Sequence, residues 1–291
     1  MNWFQYCYYY FFGQMYLNSN REYFNTTTAS IVRMNEGNVR IHAYKPNQYI
    51  VSSYIIELPT KLVIIDFQAV TADATNFLQY ARSLNKPIDR GILTHYHFDH
   101  WFGADVFKNI APIYAMSDTI NQIRTFYVNG RDNPNKIKAA DFVNYVRTAT
   151  LGVEVIDGVQ FSLERITGGE NPFTMLIRLP AYSTIAVGDL VYNQRYVYVA
   201  ETQDFNQWFT ILNSFLRYYP YRNILIGHGD PAGPQQLRET IEYLIYVRDV
   251  ANNYKTLPEY RNAILSRYPN YANKRIIDCP FTNLNCAYGI F

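Results

Sequence analysis

The sequence predicts an α/β domain with two sheets and helices outside them. Three observations predict it. Short runs rich in Val, Ile and Tyr alternate with helix-patterned stretches. The order of strands, helix, strand, helix recurs on either side of a polar stretch at 129–136. No repeat, linker or low-complexity segment interrupts it, and 291 residues can bury a sizeable core.

The elements follow in order. VRIHAY (39–44), YIVSSYIIEL (49–58) and KLVIIDF (61–67) read as successive strands, with Pro59-Thr60 as a tight connection. TADATNFLQYARSL (71–84) has helical spacing, with Phe77, Leu78 and Ala81 on one side. RGILT (90–94) is a short apolar strand, WFGADVF (101–107) starts a helix, and APIYA (111–115) is again a strand. SDTINQIRTFYV (117–128) is a helix capped by Ser117. NGRDNPNK (129–136) is a loop, followed by short strands near 152–156 and 160–165. TMLIRLP (174–180) and STIAVGDLVY (183–192) form a strand pair, and FNQWFTILNSFLRYY (205–219) is an amphipathic helix. RNILIGHGDP (222–231) is strand then loop, and two helices fill 234–252 and 257–267.

Composition excludes several function classes. With 26 basic and 24 acidic residues the net charge is +2, too balanced to point to nucleic acid or an anionic membrane as partner. Cys7, Cys279 and Cys286 include no tight pair of the kind a thiolate zinc site uses. Cys279 and Cys286 could close a small loop as a disulfide if the protein is exported, or remain free thiols. The first 20 residues lack both the basic start and the aliphatic run of a signal peptide, and are too polar to span a bilayer. Residues 1–30 are therefore expected to be an aromatic N-terminal arm and 31–291 one domain ending in helices, with export left open.

The chain has five histidines, and three of them fall in THYHFDHW (94–101). His95 and His97 are two apart on a chain leaving a strand, so both imidazoles can face one metal. Asp99 and His100 follow as the chain turns into a helix and can face a second position nearby. Nitrogen and carboxylate ligands suit zinc, and also iron or manganese.

This His-x-His-x-Asp-His run after an apolar strand resembles the signature of the metallo-β-lactamase superfamily, in a branch with a tryptophan directly after the motif, here Trp101. The resemblance can be followed from about Val39 to Pro231. It implies an αββα sandwich, two mixed sheets with helices outside, and a dinuclear metal site at one edge. Asp66 stands where the family places a supporting aspartate. GDLVY (188–192) matches the segment whose aspartate bridges both metals, and IGHGDP (226–231) the late Gly-His element, so Asp189 and His228 are carried over as ligands. The family's remaining histidine falls on Asn171, beside Glu170, and either residue could take its place.

The resemblance further implies one or two zinc ions per chain and hydrolysis by a metal-held hydroxide. The expected substrate is a small molecule with an amide- or ester-type bond, such as a β-lactam, a lactone or a related ester. Asp99 is the expected orienter and proton acceptor, and Tyr96, Phe98, Trp101 and Tyr196 the expected pocket lining. The alternatives are an iron-dependent oxidoreductase, a phosphodiesterase or nuclease, and a binding protein that has lost its first metal. Oligomeric state is left open.

Overall fold

The computed structural model describes residues 20–47, 51–129, 136–202, 204–218, 221–254 and 256–279. Among the described residues, thirteen strands form two mixed sheets. The first holds β1 (Arg21–Asn25), β2 (Ala29–Glu36), β3 (Val39–Pro46), β4 (Ser53–Glu57), β5 (Leu62–Ile65), β6 (Ile88–Ile92), β7 (Ile113–Ala115) and β8 (Arg147–Thr148), in that spatial order. Strands β1 to β5 run antiparallel to their neighbours, and β5 to β8 are parallel. The second sheet has the order β13-β12-β11-β10-β9, built from β9 (Gly152–Ile156), β10 (Val159–Thr167), β11 (Phe173–Leu179), β12 (Thr184–Tyr192) and β13 (Asn223–His228). Its β12–β13 pair is parallel and the rest antiparallel.

Alternation of apolar side chains puts one core between the sheets and one on each outer face. Ile41, Ile56, Val63 and Ile65 of the first sheet meet Phe161, Leu163, Met175 and Ile177 of the second. On the far side of the first sheet, Ile55, Leu62 and Ile64 pack under α1 (Thr71–Ser83), whose Ala74, Phe77, Leu78 and Ala81 supply the apolar stripe. The one-turn helix α2 (Phe98–Trp101), α3 (Ser117–Ile123) and α4 (Lys136–Tyr145) complete that layer. On the far side of the second sheet lie Trp208, Leu212 and Phe215 of α5 (Phe205–Tyr218) and Leu237, Leu244 and Val247 of α6 (Pro234–Asn253). Helix α7 (Leu257–Arg267) packs on α6 and starts with a capping box between Thr256 and Glu259. The layers are helix, sheet, sheet, helix.

Several parts differ from expectation, among them β2 and β8, which were not expected as strands. Asn20–Ser30, expected in an arm, includes β1 and the start of β2, an edge hairpin of the first sheet; residues 1–19 lie outside the described residues. β1 is mostly solvent-exposed and carries no apolar alternation to announce it. The helix at 101–107 is one turn of α-helix at Phe98–Trp101 followed by a 3-10 turn at Ala104–Phe107. Helix α4 follows the polar loop where no helix was expected. Cys279 is disulfide-bonded, while Cys7 and Cys286 lie outside the described residues. Among the described residues, no helix is long and apolar enough to cross a membrane.

Candidate metal centre

The site sits where the carboxyl ends of β5, β6, β12 and β13 meet, the usual place for function in parallel sheets. Asp66 follows β5 with φ 58, which turns its carboxylate back toward β6. There it accepts from the Thr94 backbone N–H at 2.8 Å and from the Thr94 hydroxyl at 2.8 Å. His100 Nδ1 lies 2.8 Å from the same carboxylate. The loop after β6 is held from inside: Trp101 Nε1 donates to the Tyr96 carbonyl at 2.8 Å and His100 N–H to the His97 carbonyl at 3.1 Å. This places His95, His97, Asp99 and His100 around one point.

The second sheet supplies the facing groups. β12 bulges at Gly188, whose φ of +52 breaks register with β13. A side chain at Gly188 would also crowd Thr94 Oγ1 and His95 Nδ1, at 3.1 and 3.3 Å from a Cβ. Beyond the bulge, Asp189 Oδ2 lies 3.0 Å from His228 Nε2, and Asp189 Oδ1 lies 3.4 Å from His100 Nε2. The Tyr192 hydroxyl donates to Asp189 Oδ2 at 3.1 Å, and its ring stacks on His228 at 5.3 Å.

Two ligand groups result. His95, His97, Glu170 and Asp189 each offer one ligand atom, and these atoms lie within 4.8 Å of one another; Asp99, His100 and His228 do the same. Glu170 Oε1 is 3.1 Å from His97 Nδ1, so this carboxylate faces the first group. Asn171 is directed elsewhere: its amide donates to Glu170 Oε2 at 2.7 Å, and its oxygen accepts from Phe173 N–H at 3.0 Å. Asn171 thus braces Glu170.

The donors fit a divalent cation. His100 Nε2, Asp189 Oδ1 and Glu170 Oε1 are buried without a hydrogen-bond partner, although such atoms are expensive to leave unpaired. Burial pushes the Glu170 carboxyl up to about 7, with the Asp189 and Glu201 carboxylates adding to the rise against His97. Burial alone would lower His228, but the Asp189 and Asp99 carboxylates overcome it and hold the imidazole up at about 10. A bound cation would offset the carboxylate charge and displace those protons.

Gly227 leaves room for this packing. A Cβ there would lie 1.8 Å from Asp189 Oδ1 and 2.7 Å from His100 Cε1. Gly227→Ala is expected to cost about 1–3 kcal/mol as local overpacking and to push Asp189 off both groups. Elemental analysis of the folded variant checks this; wild-type metal content would show that β13 gives way instead.

The pocket-lining expectation fares unevenly. Trp101 is buried in the core, its ring 5.0 Å from that of Phe142, and cannot meet a substrate. Tyr196 is also fully buried, with its hydroxyl on the Tyr268 carbonyl and its ring against Tyr271. Both rings fill apolar layers under the helices. Phe98 is buried as well. Tyr96 is just as buried; its ring lies 4.7 Å from that of His97, and its hydroxyl bonds Glu201. Glu201 itself had no signal in the sequence. It follows an aromatic stretch, YVYVAE (196–201), and reaches His97 across 104 residues of chain.

Comparison with known proteins agrees with this architecture. The family model of the metallo-β-lactamase superfamily matches residues 46–228, well over half the chain. This chain belongs to the metallo-β-lactamase superfamily. Members of the superfamily are mostly metal-dependent hydrolases. A metallo-β-lactamase from Pontibacter korlensis superposes with a TM-score of 0.56 at 18% identity, covering 77% of this chain and 99% of that one. A metallo-β-lactamase from Erythrobacter litoralis gives 0.57 at 14%, with 77% and 99% covered. At such identities the likeness is one of fold. A curated relative is the alkyl/aryl-sulfatase BDS1 of Saccharomyces cerevisiae, 30% identical over 196 residues. That match covers 53% of this chain and 30% of the yeast protein, so the chain spans under a third of that relative's length.

Proposed function

We propose that this superfamily member is a metal-dependent hydrolase acting on an ester- or amide-type bond in a small molecule. The observation that carries the reading is the pair of buried ligand groups joined through Asp189. His95, His97, Glu170 and Asp189 would hold one divalent ion and Asp99, His100, His228 and Asp189 a second, with zinc first by ligand type. When bound, such ions acidify water and polarise the bond to be cleaved.

The chain's own groups do the rest. Asp66 holds His100 by Nδ1, which leaves Nε2 turned inward. Tyr192 fixes the Asp189 carboxylate by donating to Oδ2. Asp99 Oδ2, 3.3 Å from His228 Nε2, is the carboxylate that orients the attacking water and takes its proton. Neighbouring His100 and His228 hold the Asp99 carboxyl below the usual carboxylate range despite burial, so it is ionised in the metal-free chain.

A lactone, a β-lactam or a related carboxylic ester is the first substrate class. Sulfate esters are the second, on the strength of the yeast alkyl/aryl-sulfatase relative. The test is metal analysis of the purified chain with a panel of a lactone, a β-lactam, a carboxylic ester, an aryl sulfate and a phosphodiester. Metal-dependent turnover of one class is the expected result. Turnover of none of them by a fully zinc-loaded chain would refute the hydrolase reading, and iron with redox activity would replace it.

A further inference from the structure

Each histidine of the loop after β6 turns one ring nitrogen inward and the other onto a group behind it. His100 has Nδ1 at 2.8 Å from Asp66 and Nε2 at 3.4 Å from Asp189 Oδ1. His95 has Nδ1 at 3.0 Å from Thr94 Oγ1 and Nε2 at 3.8 Å from Asp189 Oδ2. The Thr94 hydroxyl already donates to Asp66, so it accepts the His95 Nδ1–H. His97 is turned the other way round. Its Nδ1 lies 3.1 Å from both His95 Nε2 and Glu170 Oε1, and its Nε2 lies 3.4 Å from Glu201 Oε1.

A neutral imidazole has one N–H and one lone pair, and a metal takes the lone pair. The nitrogen pointing away must therefore carry the proton, and an acceptor behind the ring decides which nitrogen that is. We propose that Glu201 is the positioning residue for His97: its carboxylate accepts the Nε2–H and leaves the Nδ1 lone pair aimed at Glu170 and His95. The proposal rests on the reading of His97 as a metal ligand. Glu201 orients that ligand and does not bind the ion.

Glu201 is itself held. The hydroxyls of Tyr96 and Tyr198 both donate to its carboxylate, the second at 3.2 Å. The Tyr198 ring stands edge-on to His97, with centroids 5.5 Å apart and planes at 90°. Tyr96 lies on the loop after β6, while Tyr198 and Glu201 lie on the stretch after β12, so the tie joins the two sheets across the site. The Glu201 side chain is 21% exposed where that of Asp66 is 3% exposed. The brace of His97 is thus partly open to water, whereas that of His100 is sealed.

The test is zinc titration against a chelator in the full chain, with Glu201→Ala, Glu201→Gln and His97→Ala. Loss of a positioning group behind a metal-bound histidine costs about 10–100-fold in metal affinity. Glu201→Ala is expected to show that loss on one zinc equivalent only. Glu201→Gln keeps an acceptor oxygen, so it is expected to recover most of the affinity. Nitrogen-15 imidazole spectra should show His97 protonated at Nε2 in the wild type and in Glu201→Gln, and no longer held to that tautomer in Glu201→Ala. Equal, complete loss of one equivalent in both Glu201 variants would make the carboxylate a ligand and overturn the proposal. So would wild-type affinity in Glu201→Ala while His97→Ala loses an equivalent. If His97→Ala keeps both equivalents, the reading of His97 as a ligand is what falls.

Discussion

Replacing Asp189 by alanine is expected to strip metal from both ligand groups and reduce hydrolysis to background. Its carboxylate touches three histidines from both groups: His228 Nε2 at 3.0 Å, His100 Nε2 at 3.4 Å and His95 Nε2 at 3.8 Å. It lies within the fully buried strand β12. The change also leaves the Tyr192 hydroxyl without the carboxylate it donates to. Removing one partner of a buried charged pair costs about 3–5 kcal/mol, so the metal-free variant should also unfold at lower denaturant. Asp189→Asn separates the two effects, because it keeps the shape and the acceptor for Tyr192 but halves the ligand capacity. Metal content and the denaturation midpoint of both variants decide the matter. Two equivalents retained in Asp189→Ala would remove Asp189 from the centre.

Glu170→Gln is expected to lower affinity for one metal equivalent by at least about 100-fold, more than loss of an orienting group would. Glu170 Oε1 faces His97 Nδ1 at 3.1 Å and has no hydrogen-bond partner. Burial raises its pKa to about 7, so the metal-free carboxyl is half protonated near neutrality. Metal binding at this group should therefore weaken as pH falls below 7, because protons compete for Glu170 as they do for the histidines. In Glu170→Gln part of that pH dependence should vanish. Asn171→His, by contrast, is expected to add no ligand. It would break the hydrogen bond the side-chain amide donates to Glu170 Oε2 and the one its oxygen accepts from Phe173 N–H, inside a fully buried corner. A tighter metal site in Asn171→His would reverse the assignment and put the imidazole where Glu170 now reaches.

Much of the fold is written in local pattern. β3, β4, β5, β11, β12 and β13 are short, mostly apolar runs that the sheets bury almost throughout, and β10 alternates buried and open positions. α1, α5 and α6 carry apolar stripes long enough to be read from one strand of text. The exposed β1, the two-residue β8 and the weakly patterned α4 escaped because edge strands and weakly patterned helices owe their existence to neighbours rather than to their own residues, whereas β2 does carry an alternation of its own.

The site divides in the same way. His95, His97, Asp99 and His100 fall within six residues, so one strand-to-helix turn brings them together and their chemistry is legible from spacing. Asp189 and His228 are legible through the resemblance of GDLVY and IGHGDP to the family's Gly-Asp and Gly-His segments. Only the tertiary structure shows that Glu170, not Asn171, faces the first ligand group. Neighbouring side chains diverge, and which one points inward depends on the chain's entry into β11. Only the tertiary structure found Glu201 and moved Trp101 and Tyr196 into the core: Glu201 reaches His97 from the other sheet, Trp101 packs on Phe142 of α4, and Tyr196 bonds the Tyr268 carbonyl beyond α7. A linear sequence records spacing along the chain, and the orientation of a ring nitrogen is set by whatever the fold places behind it.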